Sequence, residues 1–164
     1  MQGLARRADG RIWSIEQGSY RDDEVNLIVR NGNYGWNPVP RKAGDPSYNE
    51  NANSPMTDFA LPGAQLGPAW RSGANTEATS GGTFVNGAKW KSANGALAVC
   101  ELKDQAVRFM TFDSKGKLTR TWRPAALSGA TYGRKRACVQ GPDGNLYVTT
   151  SNGSDDKILK VVPH

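Results

Sequence analysis

The chain has 164 residues, the size of one ordinary domain and enough to bury a core. Its composition is that of a soluble globular protein, with 37% hydrophobic and 22% charged residues and a mean hydropathy of −0.61. No apolar run is long enough to span a bilayer, and residues 1–7 lack the apolar stretch of a signal peptide. We therefore expect no contact with a membrane.

The net charge of +6 favours an anionic partner, which is a nucleic acid, a lipid surface or an acidic small molecule. The basic residues are scattered along the chain, however, and only residues 134–136 form a basic run. This distribution argues against nucleic-acid binding. The two cysteines, Cys100 and Cys138, fit neither a CxxC motif nor a disulfide framework. We interpret them as two buried small residues in strands.

Three segments share one pattern, in which a turn is followed by a β-rich strand, a polar loop and a second β-rich strand. They begin at Asp9, Asn94 and Asp143, and the first and last match almost element by element. Repeated antiparallel hairpins of this kind are typical of propeller blades. Further strands are predicted between the copies, where they would complete four-stranded blades: residues 82–85, 118–122 and 134–139.

Residues 37–80 are rich in Pro, Gly, Asn and Ser and show no periodicity, so they are predicted to form a long irregular loop. At roughly 40 to 50 residues per blade, the chain holds about three blades. Propellers close with about 4 to 8 blades. The sequence therefore predicts an all-β fold, in which residues 1–164 form a single half-propeller domain.

The segment from Glu16 to Trp36 has the composition of a site. Residues 17–19 form a short polar turn, and three carboxylates at residues 22–24 precede an apolar strand. Such oxygen-rich turns suit a hard cation such as calcium, although a solvated acidic turn is the alternative. We expect Asp23 and Glu24 to brace the turn by hydrogen bonds to its amides.

Read as a whole, EQGSYRDDEVNLIVRNGNYGW resembles the signature of the soluble pyrroloquinoline quinone (PQQ)-dependent sugar dehydrogenases, the glucose/sorbosone dehydrogenase family. The resemblance continues in the family's order through SGGTF, GALAV, ELK, GRKR and GPDGNLYV. It implies the C-terminal half of a six-bladed ring. Relatives of this kind are typically periplasmic or exported.

The resemblance also implies a set of ligands. The backbone carbonyls of Gly18 and Ser19 would hold the calcium that clamps the quinone, next to Gln17 as a quinone contact. The family usually has proline where this chain has Ser19. A carbonyl ligand does not depend on its side chain, so this position remains suitable.

The family's quinone-contacting lysine falls on Lys103, and its pair of arginines falls on Arg134 and Arg136. Residues two apart in a strand face the same side, so both guanidiniums would face one polycarboxylate while Lys135 faces away. The alternative is an exposed edge strand kept basic against aggregation. After the second arginine the family has Asp-Val, where this chain has Ala137 and Cys138.

Catalysis in the family needs a histidine from an earlier blade as the base, and the one histidine here is the terminal His164. We therefore assign no catalytic residue. The first hypothesis is a portion of a PQQ-dependent aldose dehydrogenase that is inactive alone. The alternative is a non-catalytic half-propeller that binds a ligand or a protein. Two apolar flanks are expected, which a homodimer or another partner would cover by completing the ring.

Overall fold

A computed structural model describes residues 1–36 and 57–163. Within these residues the fold is all-β, with eleven strands in three antiparallel sheets. Two short 3-10 helices lie between strands, at Ala88–Ala93 and Ala125–Leu127. Neither of these helices has the length and apolar character needed to cross a membrane.

The three sheets follow one another along the chain as three blades. Blade 1 is hydrogen-bonded in the order β1 (Gly3–Arg6), β2 (Ile12–Glu16), β3 (Glu24–Ile28) and β4 (Trp70–Arg71). Blade 2 has the order β5 (Thr79–Phe84), β6 (Leu97–Glu101), β7 (Ala106–Phe112) and β8 (Leu118–Trp122). Blade 3 contains β9 (Lys135–Gln140), β10 (Leu146–Thr150) and β11 (Ile158–Val161).

The three repeated segments of the sequence are the hairpins β2–β3, β6–β7 and β10–β11, which confirms the partial propeller. The three further strands correspond to β5, β8 and β9. The sequence did not predict β1 or β4. The two-residue β4 and the start of β5 lie inside the loop predicted over residues 37–80, of which residues 37–56 are outside the described part. The strand β4 is defined by its pairing with β3, and no local sequence pattern predicts it.

The hydrophobic core lies between the blades. Leu97 and Val99 of β6 contribute to the core shared with blade 1, whereas Ala98 and Cys100 contribute to the core shared with blade 3. Every residue of β6 is consequently buried. This is why residues 97–100 of β6 form a continuous apolar run and do not show the alternation of a half-exposed strand.

The two cysteines form a disulfide, with their Cα atoms 6.2 Å apart. Cys100 lies on β6 and Cys138 on β9, and both belong to the core between blades 2 and 3. Both cysteines are buried in strands, as predicted, but the interpretation that they belong to no disulfide was wrong. Their separation of 38 residues carries no recognisable spacing, and only the packing of one blade on the next brings the two strands within bonding distance.

Glycines allow the innermost strands of adjacent blades to lie very close together. A Cβ atom at Gly81 of β5 would be 3.0 Å from the Cα atom of Ala137 on β9. A Cβ atom at Gly3 of β1 would be 3.2 Å from the carbonyl oxygen of Ser80 on β5. These two close contacts place the first residues of β1, β5 and β9 side by side. The last residues of β2, β6 and β10 pair with them, so all six strand ends lie at the same end of the blades. We call it the Gly18 end.

Candidate functional site

The predicted calcium turn follows β2 at the Gly18 end. Gly18 is buried, and a Cβ atom there would lie 1.7 Å from the carbonyl oxygen of Arg21, so only glycine fits. The amide of Gly18 donates a hydrogen bond of 2.9 Å to Asp23 Oδ1. The turn is thus closed on itself, and Ser19 lies on its exposed side. A rigid turn of backbone carbonyls fits a hard cation.

Asp23 holds this turn against the next blade. Its side chain is fully buried and accepts hydrogen bonds from Thr76 Oγ1 at 2.7 Å, the Glu77 amide at 2.7 Å and the Thr79 amide at 3.2 Å, besides the Gly18 amide. Burial raises the pKa of this carboxyl, while the four hydrogen bonds favour its charged form. The prediction that Asp23 braces the turn is confirmed, and the additional bonds across to blade 2 are new.

Glu24 does not brace the turn, so that prediction was wrong. Its neighbour Asp23 points into the turn, and successive side chains in a strand alternate. Glu24 is 1% exposed, and its Oε2 accepts a bond of 3.2 Å from Asn26 Nδ2. Its Oε1 atom has no hydrogen-bond partner among the described residues. Burial, as the largest cause, raises the pKa of Glu24 to about 7.

Gln17 is half-buried and lines a cavity of about 430 Å³ in blade 1, together with Glu16, Glu24 and Tyr34. Among the described residues, no hydrogen bond joins Gln17 to Lys103 or to the two arginines. Its assignment to the quinone therefore remains a prediction from the resemblance alone.

Lys103 lies on the turn between β6 and β7 and is exposed. Its amide donates to the carbonyl oxygen of Glu77 at 3.1 Å, and the amide of Glu77 donates to Asp23. One short segment before β5 thus connects the turn that carries Lys103 with the turn that carries Gly18. The two turns belong to different blades but share the same end of the molecule.

An ion-pair network that the sequence analysis missed lies beside Lys103. Arg108 and Arg123 contact three carboxylates at distances of 2.6 to 2.9 Å, those of Glu77, Glu101 and Asp104. Burial raises the pKa of Glu101, and Arg108 opposes that shift. Because two guanidiniums already pair with the three carboxylates, the cluster is a partly buried ion-pair network and not a free metal site. These contacts join residues of separate strands and turns, and no local motif predicts them.

Arg134 and Arg136 lie at the beginning of β9, and both are exposed. Lys135 between them is completely buried, as the predicted alternation requires. Within the described part of the chain, Lys103, Arg134 and Arg136 form no ion pair with a carboxylate. Unpaired cations at one end of the blades fit a ligand with several carboxylates. Their role as ligands nevertheless stays a prediction.

Comparison with known proteins supports the family that the sequence resembles. The profile of the Glucose / Sorbosone dehydrogenase family matches residues 1–160. The chain belongs to this family. It is 30% identical over 165 residues to the aldose sugar dehydrogenase YliI of Escherichia coli, and 40% identical over 70 residues to the quinoprotein glucose dehydrogenase B of Acinetobacter calcoaceticus.

Solved structures of the family share the fold of this chain. A glucose dehydrogenase superposes with a TM-score of 0.77 at 30% identity, and the apo-form soluble aldose sugar dehydrogenase from Escherichia coli with a TM-score of 0.77 at 27% identity. They cover 98% and 99% of this chain, but this chain covers only 43% and 44% of theirs. It likewise spans 41% of the Escherichia coli curated relative. The chain therefore spans less than half the length of these relatives.

Proposed function

We propose that this chain provides the cofactor-binding half of a PQQ-dependent sugar dehydrogenase. The observation that supports the proposal is a set of three exposed cations at the same end of the blades as the Gly18 turn, Lys103, Arg134 and Arg136, which form no ion pair with a carboxylate among residues 1–36 and 57–163. The names of the relatives, which include a quinoprotein glucose dehydrogenase and an aldose sugar dehydrogenase, supply the substrate class. Family membership does not favour the alternative of a non-catalytic module.

In this proposal the carbonyls of Gly18 and Ser19 hold calcium, and the three cations hold the carboxylates of the quinone. Gln17 is the additional quinone contact that the resemblance implies. The quinone that these residues would hold would supply the hydride acceptor for the carbon that bears the sugar hydroxyl. The residues of this chain bind and orient it by charge-assisted hydrogen bonds, whose strength depends on fixed geometry. The buried Asp23 contributes by keeping the calcium turn in place.

The chain does not contain a residue assigned as the base that takes the hydroxyl proton. Its one histidine, His164, lies outside the described residues. Sugar oxidation in this proposal therefore requires blades beyond the three described, from a longer polypeptide or from another subunit. The contribution of this chain is cofactor binding.

Titration of the purified chain with PQQ, with and without calcium, tests the proposal. We expect calorimetric heat and a change in quinone absorbance that calcium strengthens, because the Gly18 turn and the quinone share the metal. The affinity should be lower than for full-length relatives, since ligands from other blades are missing. The absence of any PQQ-dependent signal in the presence of calcium would contradict the proposal.

A further inference from the structure

We propose that Lys135 is a positioning residue of the cofactor site, which ties the turn that presents Lys103 to the strand that presents Arg134 and Arg136. This inference rests on the proposed quinone-binding function. It assigns a role to the middle residue of the basic run, the one that does not face the ligand.

The ammonium group of Lys135 bridges two separate backbone segments. Its Nζ atom donates a hydrogen bond of 2.7 Å to the carbonyl oxygen of Gln105 and one of 3.0 Å to the carbonyl oxygen of Gly129. Gln105 belongs to the β6–β7 turn, two residues after Lys103. Gly129 belongs to the connection that leads from blade 2 to β9. A single side chain thus fixes the distance between the lysine turn and the arginine strand.

The placement of this lysine is energetically costly, which argues for a specific role. Lys135 is 0% exposed, and no described carboxylate pairs with it. Burial lowers its pKa, because desolvation disfavours the charged amine. An apolar side chain of similar length would fill the same space without that cost. What the lysine adds over an apolar residue is the pair of hydrogen bonds.

A β-bulge directs Lys135 into the interface between the blades. In the pairing of β9 with β10, Ala137 lies opposite Thr149, whereas Lys135 lies opposite Thr150, so one extra residue is inserted on β9. Without the bulge, Lys135 would share the exposed face of Ala137. The bulge turns Lys135 inward and leaves Arg136 exposed. Bulges commonly re-aim side chains in this way next to binding sites.

The disulfide connects the same two elements a few residues away. Cys138 of β9 is bonded to Cys100 of β6, three residues before Lys103. The disulfide joins β6 to β9, and Lys135 joins β9 to the β6–β7 turn, close to Lys103 and the two arginines. Binding groups that are held in place before the ligand arrives lose less entropy on binding. Removal of the ammonium should therefore weaken recognition of the carboxylates and leave other contacts unchanged.

The experiment compares the binding of PQQ and of its trimethyl ester, which lacks free carboxylates, to the 164-residue chain with calcium present. The variant is Lys135→Met, which keeps the length of the side chain and removes the ammonium. Lys135→Arg tests rescue, because it retains the cation and its donors. The matched control is Lys89→Met, an exposed lysine at the opposite end of blade 2. Lys135→Gln, whose shorter amide cannot bridge both carbonyls, replaces the methionine variant if that protein does not fold.

We expect Lys135→Met to reduce the preference for PQQ over the ester about tenfold, the lower end of the effect of removing groups that hold a binding residue. The affinity for the ester should not change, and Lys135→Arg should restore most of the preference. In the Lys103→Ala background, Lys135→Met should cost much less, because the residue whose position it fixes is gone.

Three results would overturn the inference. If Lys135→Met weakens PQQ and the ester equally, the lysine serves only the stability of the fold. If Lys135→Met has the same effect in the Lys103→Ala background, Lys135 acts through its own charge and not by positioning Lys103. If the variant binds PQQ as the unmodified chain does, it has no role in the site. A wild-type chain with no preference for PQQ over the ester would instead reject the proposed function itself.

Discussion

At the scale of single residues, adjacent basic side chains on β9 have opposite environments. Arg136 is exposed and has no carboxylate partner in the described part of the chain, whereas Lys135 is buried between two carbonyl oxygens. Burial and hydrogen bonding therefore separate the residue that is available to a ligand from the residue that is not. Strand alternation predicts opposite faces for the two residues, whereas only the packing of β9 decides which face is buried.

Arg136→Ala should weaken PQQ binding by about 1.5 to 3 kcal/mol, the range for hydrogen bonds to charged groups. The reason is the loss of one of the cations that would pair with the quinone carboxylates. Calorimetric titration in the presence of calcium measures the effect. Arg30→Ala is the matched control, since Arg30 is exposed beyond the other end of β3. Unchanged affinity in the Arg136 variant would show that the arginines serve the fold.

Glu24 predicts a pH dependence of stability. Its pKa is raised from 4.5 to about 7, so its contribution to stability is fully present below about pH 4.5 and is lost as the pH rises through 7. Glu24→Gln removes the decrease in stability that ionisation of this carboxyl causes. In metal-free buffer at pH 8.5, the variant should be more stable than the parent by about 3.5 kcal/mol, at about 1.4 kcal/mol per pKa unit.

Urea unfolding at pH 4.5 and pH 8.5 measures this difference, which should be small at the lower pH. Asp155→Asn serves as the control, because Asp155 is largely exposed. If the difference in free energy of unfolding between Glu24→Gln and the parent is the same at both pH values, the Glu24 carboxyl does not titrate between pH 4.5 and pH 8.5.

At the scale of elements, the contacts between blades decide the geometry of the site. Each predicted ligand lies on a turn or at a strand start, where its own blade provides little support. Asp23 connects the Gly18 turn to blade 2, and Lys135 with the Cys100–Cys138 disulfide connects blade 2 to blade 3. The disulfide also predicts that the chain folds in an oxidising compartment, where such bonds persist.

Reduction of this disulfide should lower the free energy of unfolding by about 3 to 4 kcal/mol, the value for a closed loop of this length. Urea midpoints with and without a phosphine reductant measure the loss. A variant with both Cys100→Ala and Cys138→Ala is the control, because the reductant should not affect it. If the parent protein unfolds at the same urea concentration in both conditions, the inter-blade contacts alone hold blades 2 and 3 together.

At the scale of the whole molecule, the two outer flanks differ in character from each other. The free face of blade 3 exposes Val139 by 59% and Ile158 by 75%, which agrees with the expected apolar flank. The face of blade 1 that points away from blade 2 instead carries polar side chains linked by hydrogen bonds to one another, Ser14, Glu16, Glu24 and Asn26. Ser14, Glu24 and Asn26 are at most 1% exposed, so this face is already largely covered. The expectation of apolar surface on both flanks was therefore wrong for blade 1.

We expect a homodimer in solution, in which blade 3 of one copy covers blade 1 of the other and six blades close a ring. The measurement is the mass by light scattering over a wide range of protein concentration. Ile158→Lys, on the free face of blade 3, should shift the protein to the monomer, whereas Lys89→Met should not. A monomer at high concentration would reject this arrangement and leave the remaining blades to a longer polypeptide.

The chain alone should oxidise glucose at a negligible rate even with PQQ and calcium bound. The absence of a general base costs roughly two to four orders of magnitude. Reduction of an artificial electron acceptor, compared with a full-length aldose sugar dehydrogenase under the same conditions, measures the difference. A rate equal to that of the full-length enzyme would show that another group in this chain takes the proton.

Much of the architecture was predictable because its signals are local. Three hairpins repeat a turn-strand-loop-strand pattern, and each requires only neighbouring residues to form. The segment from Glu16 to Trp36 identified the family, and its Asp23 was correctly predicted to brace the turn. The alternation of strand side chains also predicted that Lys135 and Arg136 face opposite sides, although not which side is buried. These features depend on spacings of a few residues, which the sequence contains explicitly.

The tertiary structure alone decided how the blades are joined. The sequence by itself determined the β-hairpins, the number of blades and the family. The disulfide, the ion pairs of Arg108, the strand β4 and the bulge that buries Lys135 depend on which residues meet across tens of positions in the chain. Local periodicity does not encode these long-range contacts, because they form only when one sheet packs on the next.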